Sequence, residues 1–178
     1  MAFFCVSAVK WFVLYRLYAP GDFDALYALE DLCFVPPLRF CRQSMRRLVQ
    51  HPQAAVWIAE EDGTMTGFAI VEWSKGKNGI TAYIQTIEVA PEARCRGVGS
   101  GLLIRIEDSA RAAGAGLIWL HVDAQNAGAV RLYETQGYHS RGRRENFYPE
   151  GRAALIYSKP LSSEQAEDSE SVRKHFSG

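Results

Sequence analysis

The stretch Arg94-Cys95-Arg96-Gly97-Val98-Gly99 stands where an extended apolar run gives way to a helical one. It confines the chain to folds with a strand–turn–helix junction built for an anion. The run before it, 82–90, reads as a strand, and Leu102, Leu103, Ile106, Ala110 and Ala113 after it repeat at helical spacing. Gly97 and Gly99 let the backbone turn tightly and leave its N–H groups open. A helix N-terminus presents free N–H donors and a partial positive charge, which suits phosphate. Arg94 and Arg96 add full charges, so the expected phosphate cradle is Arg94, Cys95 and the backbone of Arg96, Gly97, Val98, Gly99, Ser100 and Gly101.

Common phosphate motifs do not fit. A P-loop needs Gly-Lys followed by Ser or Thr, and Ser100-Gly101-Leu102 supplies neither. The Rossmann fingerprint needs wider glycine spacing and an acid on the next strand, where this chain has His121. Val98 stands where a nucleophile elbow would need its first glycine.

The loop resembles Arg/Gln-x-x-Gly-x-Gly/Ala, the acetyl-CoA loop of the GNAT superfamily of N-acetyltransferases. The similarity continues elsewhere. Tyr83-Ile84-Gln85-Thr86-Ile87-Glu88-Val89-Ala90-Pro91 resembles the family's central strand and exit turn, and Leu120-His121-Val122 its next strand. Asn126-Ala127-Gly128-Ala129-Val130-Arg131-Leu132-Tyr133-Glu134 and Gly137-Tyr138 resemble the helix and turn that follow. Asn146-Phe147-Tyr148-Pro149-Glu150-Gly151 is similar to the hairpin of N-terminal (Nα) protein acetyltransferases, including the RimI-type enzymes of ribosomal proteins. The resemblance runs over 13–161 and is strongest after Ile80.

It implies an α/β fold with a mixed, mostly antiparallel sheet that splays between two central strands and is flanked by helices. It implies acetyl-CoA as co-substrate and no metal. The pantetheine arm would lie in the splay against the backbone of Ile87 and Val89, and Asn126 would contact the cofactor. Tyr133 matches the family's general acid, although it could equally pack between helix and sheet. RimI-type enzymes carry Glu where this chain has His121. A His there with a Tyr on the preceding strand resembles certain eukaryotic Nα-acetyltransferases, in which the pair acts as base through a water. Tyr83 and His121 match both members. The alternatives are a hydrogen-bonded core histidine, and Glu88 as a competing base that is otherwise solvated or paired with an arginine.

An α-amine has a pKa of about 7.7–8.0 against about 6.5 for imidazole, so that proton moves at little cost; a lysine ammonium at about 10.4 is harder. The acceptor wall is expected from Phe34-Val35-Pro36-Pro37, an apolar connection, and from Phe147 and Tyr148 on the late hairpin. Phe34 may instead be read as core, with the prolines ending a helix. His51 and His139 read as surface residues.

The 178 residues suit one domain, and 20 basic residues balance 20 acidic ones, so no net field favours nucleic acid or an anionic membrane. Four cysteines lack disulfide density and zinc spacing, which predicts reduced thiols and a cytoplasmic location. Cys33, Cys41 and His51 form only a weak metal-ligand candidate. The organisation expected is an N-terminal extension of unknown role at 1–10, the acetyltransferase domain at 11–161, and a Ser/Glu-rich disordered tail at 162–178.

The expected elements are a strand over 11–18, a helix ending at Cys33 with Leu26, Leu29 and Leu32 inward, and a helix over 39–49. A hairpin about Asp62-Gly63 and a strand over 80–90 follow, then helix 98–113, strand 117–122, helix 127–136 and strands 138–147 and 153–160. Three functions stay open: an Nα-acetyltransferase acting on a protein or peptide, such as a ribosomal protein; a small-amine (polyamine, amino acid or antibiotic) acetyltransferase; and a non-catalytic acyl-CoA-binding module. A monomer and a homodimer are both compatible.

Overall fold

Asp62 and Gly63 take left-handed backbone (φ 49° and 76°), and this two-residue turn folds strand Ala54–Glu61 (β2) back onto Thr64–Gly76 (β3). The computed structural model describes residues 12–34 and 38–161. The expected extension at 1–10, Trp11, the connection residues Val35, Pro36 and Pro37, and the tail at 162–178 lie outside them. The other strands are Leu14–Leu17 (β1), Gly79–Val89 (β4), Ala115–Asp123 (β5), His139–Arg144 (β6) and Ala154–Pro160 (β7). The helices are Phe23–Cys33 (α1), Arg42–Val49 (α2), Val98–Ala112 (α3) and Ala127–Thr135 (α4). One sheet runs in the order β1-β2-β3-β4-β5-β7-β6, and only the β4–β5 pairing is parallel. α3 makes that crossover.

Residues 66–71 of β3 are buried without a break, which requires cover on both sheet faces; both α1 and α3 pack against this strand. Leu26, Met45, Phe68, Ile70, Leu102, Leu103 and Ile106 are fully enclosed there.

Three expectations are corrected. Leu32 is 58% exposed, because the inner stripe of α1 runs through Leu26, Leu29 and Glu30 instead. α2 starts at Arg42, since Cys41 is extended (φ −70°, ψ 153°). β6 stops at Arg144, and Asn146, left-handed at φ 53°, takes the chain out of the sheet.

The sheet opens at its centre. β4 and β5 pair only from Ile80↔Ala115 to Tyr83↔Trp119, and beyond that point the two strands have no ladder between them. β3 pairs Ile70 with Thr86 and Val71 with Ile84, so Gln85 is an extra residue that bends β4 where the gap begins.

Gly101 has a structural task that its motif position does not suggest. A Cβ there would lie 2.0 Å from the Tyr15 hydroxyl oxygen and 2.3 Å from its Cζ. The glycine thus lets the ring of a β1 residue reach α3, with Tyr15 Oη 3.4 Å from the Val98 carbonyl. Gly101→Ala is expected to cost about 1–3 kcal/mol through overpacking. Chemical denaturation should show this penalty shrinking in a Tyr15→Ala background; equal penalties in both backgrounds would remove Tyr15 as the cause.

Candidate active site

The gap between β4 and β5 holds a cavity of about 480 Å³. Its walls are 84–87 of β4, 121–123 of β5, Asn126, Ala129 and Tyr133 around α4, and Cys33, Phe34, Leu38 and Phe40 beside α1. Tyr148 and Arg152 close the side formed by the β6–β7 connection. Ala90 N–H donates to the Thr66 carbonyl at 2.9 Å on the β3 side. Main-chain direction alternates along an antiparallel strand, so the peptide groups of Ile87 and Val89 face the gap. That is the orientation an extended ligand needs if it is to lie there as a substitute strand.

At the far end of the gap the junction loop enters α3. Gly97 caps the helix at φ 86°, with Cys95 also left-handed at φ 59°. A Cβ on Gly97 would meet nothing within 4 Å, so the backbone angle is what calls for glycine here, not crowding within the protein. At Gly99 a Cβ would lie 3.3 Å from Leu132, which lets α3 approach α4. The first intrahelical bond runs from Gly101 N–H to the Gly97 carbonyl, so the N–H groups of Val98, Gly99 and Ser100 belong to the first turn, which has no intrahelical acceptors for them.

The two arginines divide their work. Arg94 Nε donates to the Val89 carbonyl at 3.0 Å, tying the loop to the end of β4. Arg96 Nη2 is 2.6 Å from the enclosed Glu61 carboxylate. Its charge is compensated locally, and the contact anchors the loop to the end of β2.

Tyr83 and His121 come together where the strands part. The Tyr83 hydroxyl is 3.2 Å from His121 Nδ1, with the tautomer deciding which atom donates. Phe147 lies flat on the imidazole, centroids 4.1 Å apart and planes at 11°, while Trp119 meets its edge at 5.4 Å. Burial, and then the Arg144 guanidinium, push the His121 pKa below its usual value, so the ring is neutral at neutral pH. Burial raises the Tyr83 hydroxyl, partly offset by a hydrogen bond from the His121 main chain. The Tyr148 hydroxyl is 3.4 Å from the His121 carbonyl.

Tyr133 lines the same cavity as His121. Its ring meets Tyr138 edge to face at 5.5 Å. Burial first, then Tyr148 and Tyr83, drive its pKa well above the usual phenol value. Tyr138 itself is 2% exposed and belongs to the core. Asn126 caps α4, its Oδ1 accepting from Ala129 N–H at 3.1 Å. Phe34 is half-buried and lines the cavity, so it does not belong to the closed core, whereas Val35 and Pro36 lie outside the described residues.

Glu88 is neither solvated nor paired with an arginine: it is 3% exposed, its Oε1 accepts from Thr86 Oγ1 at 3.0 Å, and burial together with the neighbouring Glu30 carboxyl raises its pKa. Glu30, fully enclosed on α1, is a neighbour of Glu88 that was not singled out from the sequence. Its signal was present, a carboxylate on the apolar stripe of α1. Among the described residues no three metal-ligating side chains gather, and Cys33 Sγ faces the Val89 carbonyl at 3.6 Å. His139 is exposed, and His51 lies 3.5 Å from Glu72, outside the cavity walls.

Streptothricin acetyltransferase of Streptomyces lavendulae is 39% identical over 103 residues, 56% of this chain and 53% of that protein. The chain thus spans about half the length of that relative. The ribosomal protein bS18-alanine N-acetyltransferase of Escherichia coli K12 is 34% identical over 105 residues, 57% of this chain and 68% of that one. The crystal structure of the Escherichia coli ribosomal-protein-S18-alanine N-acetyltransferase superposes with a TM-score of 0.74 at 25% identity, covering 85% of this chain and 95% of that one. The acetyltransferase (GNAT) family profile matches residues 23–138, well over half of the sequence, and with the splayed sheet around its cavity the chain belongs to that family.

Proposed function

We propose that this chain transfers the acetyl group of acetyl-CoA to the α-amine of a protein or peptide N-terminus, with 11–161 as the catalytic unit. The observation that carries the reading is the Tyr83–His121 pair at 3.2 Å, set where the sheet opens, with His121 lining the same cavity as Tyr133. In this scheme the cofactor's pyrophosphate rests on the first turn of α3, and its pantetheine arm meets the peptide groups of Ile87 and Val89. The amine nitrogen attacks the thioester carbonyl. Its proton passes through a water to the neutral His121, held by Tyr83. A gap-facing N–H of β4 stabilises the oxyanion, and the Tyr133 hydroxyl donates to the leaving sulfur.

Polarity of the walls favours a peptide over a polycation. Asp123, the carboxylate at the cavity, is paired with Arg152. Glu88 is held protonated by burial and by Glu30. Phe34, Leu38, Phe40, Phe147 and Tyr148 supply apolar surface for the first residues of an acceptor. The streptothricin relative supports a second reading, a small amine as acceptor. The ribosomal relatives make a ribosomal protein a natural first candidate, as monomer or homodimer. Cys33, Cys41 and Cys95 are free thiols, in keeping with a cytoplasmic site of action. Among the described residues no helix is long and apolar enough to cross a membrane.

Coenzyme A release should be measured across short peptides with free or blocked N-termini, blocked-N-terminus lysine peptides, and spermidine. Turnover confined to free N-termini is expected. Turnover confined to small amines would transfer the assignment to the second reading, and tight acetyl-CoA binding without turnover would point to a non-catalytic module.

A further inference from the structure

We infer that Glu30 and Glu88 are positioning residues for the acceptor: their carboxyl groups share one proton between α1 and β4, and this bridge fixes the cavity wall at Phe40. The inference rests on the acceptor side assigned above.

Glu30 is fully enclosed and Glu88 is 3% exposed. One oxygen of each is accounted for: Glu30 Oε1 accepts from Phe40 N–H at 2.7 Å, and Glu88 Oε1 accepts from Thr86 Oγ1 at 3.0 Å. The other oxygen of each, Oε2, is buried and has no donor among the described residues. Burial first, and then the neighbouring Glu30 carboxyl, push the Glu88 carboxyl up to about 10. Ionised carboxylates are acceptors only, so two of them can bond only across a retained proton. One shared proton satisfies both orphaned oxygens at once.

The surroundings favour keeping it. From α1 the pair faces the Cys33 thiol, and from β4 the Thr86 hydroxyl. Arg94, beyond Cys33, is committed to the Val89 carbonyl and stands 3.8 Å from Cys33 Sγ.

What the bridge holds gives it a role. The Phe40 peptide is gripped twice from α1, at its N–H by Glu30 and at its carbonyl by the Tyr27 hydroxyl at 3.3 Å. Glu88 fixes Glu30 in turn to the strand whose peptide groups face the gap. The aromatic wall is thereby set at a constant distance from the place assigned to the thioester.

Glu30→Ala should raise the acceptor KM roughly tenfold or more, the scale of leaving a buried polar group unpartnered, with acetyl-CoA affinity nearly unchanged. Glu88→Gln supplies an amide donor that no pH removes. Wild type should show acceptor KM climbing at alkaline pH as the shared proton is lost, and Glu88→Gln should abolish that climb. Amide hydrogen exchange at Phe40 should quicken in Glu30→Ala and stay slow in Glu88→Gln. The same alkaline climb in wild type and Glu88→Gln, or unaltered exchange at Phe40 in Glu30→Ala, would overturn the bridge. Exchange needs no acceptor, so it judges the bridge even where the peptide reading itself fails. If Glu30→Ala does not fold, the Glu88→Gln exchange and pH profiles still decide.

Discussion

Tyr133→Phe is expected to lower kcat by roughly 10²–10³-fold, the cost of removing one donor aimed at developing charge, and to leave acetyl-CoA affinity nearly unchanged. The substitution keeps the ring that packs against Tyr138 at 5.5 Å, so the fold should survive and the lost group is the hydroxyl alone. Burial raises the Tyr133 pKa, which keeps the phenol protonated at every working pH. The same shift makes complete proton release to a thiolate, whose thiol pKa is about 8.5, an uphill step. In the proposed scheme Tyr133 would therefore act chiefly by hydrogen bonding to the sulfur as the carbon–sulfur bond lengthens, an interaction stronger in the transition state than in the bound thioester. Such a group lowers kcat and kcat/KM together when removed. Single-turnover rates and acetyl-CoA titration separate the possibilities: unchanged kcat with reduced stability would return Tyr133 to a packing role.

The parts legible in the sequence are those whose causes are local. The Asp62-Gly63 turn, the apolar stripe of α3 and the left-handed Gly97 at its start each depend on a few neighbouring residues, and each lies where it was expected. Tyr83 and His121 were paired through family resemblance; their spacing in the chain says nothing of a 3.2 Å contact, which needs β4 and β5 in parallel register. What escaped notice depends on contacts between distant segments. Arg96 stands out in the sequence for its charge beside the glycines, and its contact with Glu61 arises only because β2 ends beside the loop. Gly101 reads as part of a glycine loop until Tyr15 arrives from β1. Glu88 reads as a base or a solvated acid until α1 supplies Glu30, and the stacking of Phe147 on His121 shows only once the hairpin is in place. In each case residue chemistry restricted the options, and topology selected the partner.

His121→Ala should change the shape of the pH–rate profile as well as its height. In the wild type, burial and the Arg144 charge lower the imidazole pKa, so the ring is a free base at a pH where an α-amine of pKa about 7.7–8.0 is still mostly protonated. The wild-type acid limb should therefore lie at this lowered imidazole pKa. Without the ring only pre-deprotonated amine reacts, and the limb moves up to the amine's own pKa. The loss should reach roughly 10²-fold or more near pH 6.5 and narrow steadily above pH 8, with magnitudes typical of one general base. Tyr83→Phe should give a smaller loss of the same pH form, because it removes the partner of the base and leaves the base in place. Stability follows the same sign. The unfolded chain takes up the His121 proton near pH 6.5 while the folded state resists it, so stability falls as pH drops through that window. Rates and unfolding must therefore be followed together. If His121→Ala merely scales the profile down, His121 holds Tyr83, Phe147 and Trp119 in place and the proton leaves by another route.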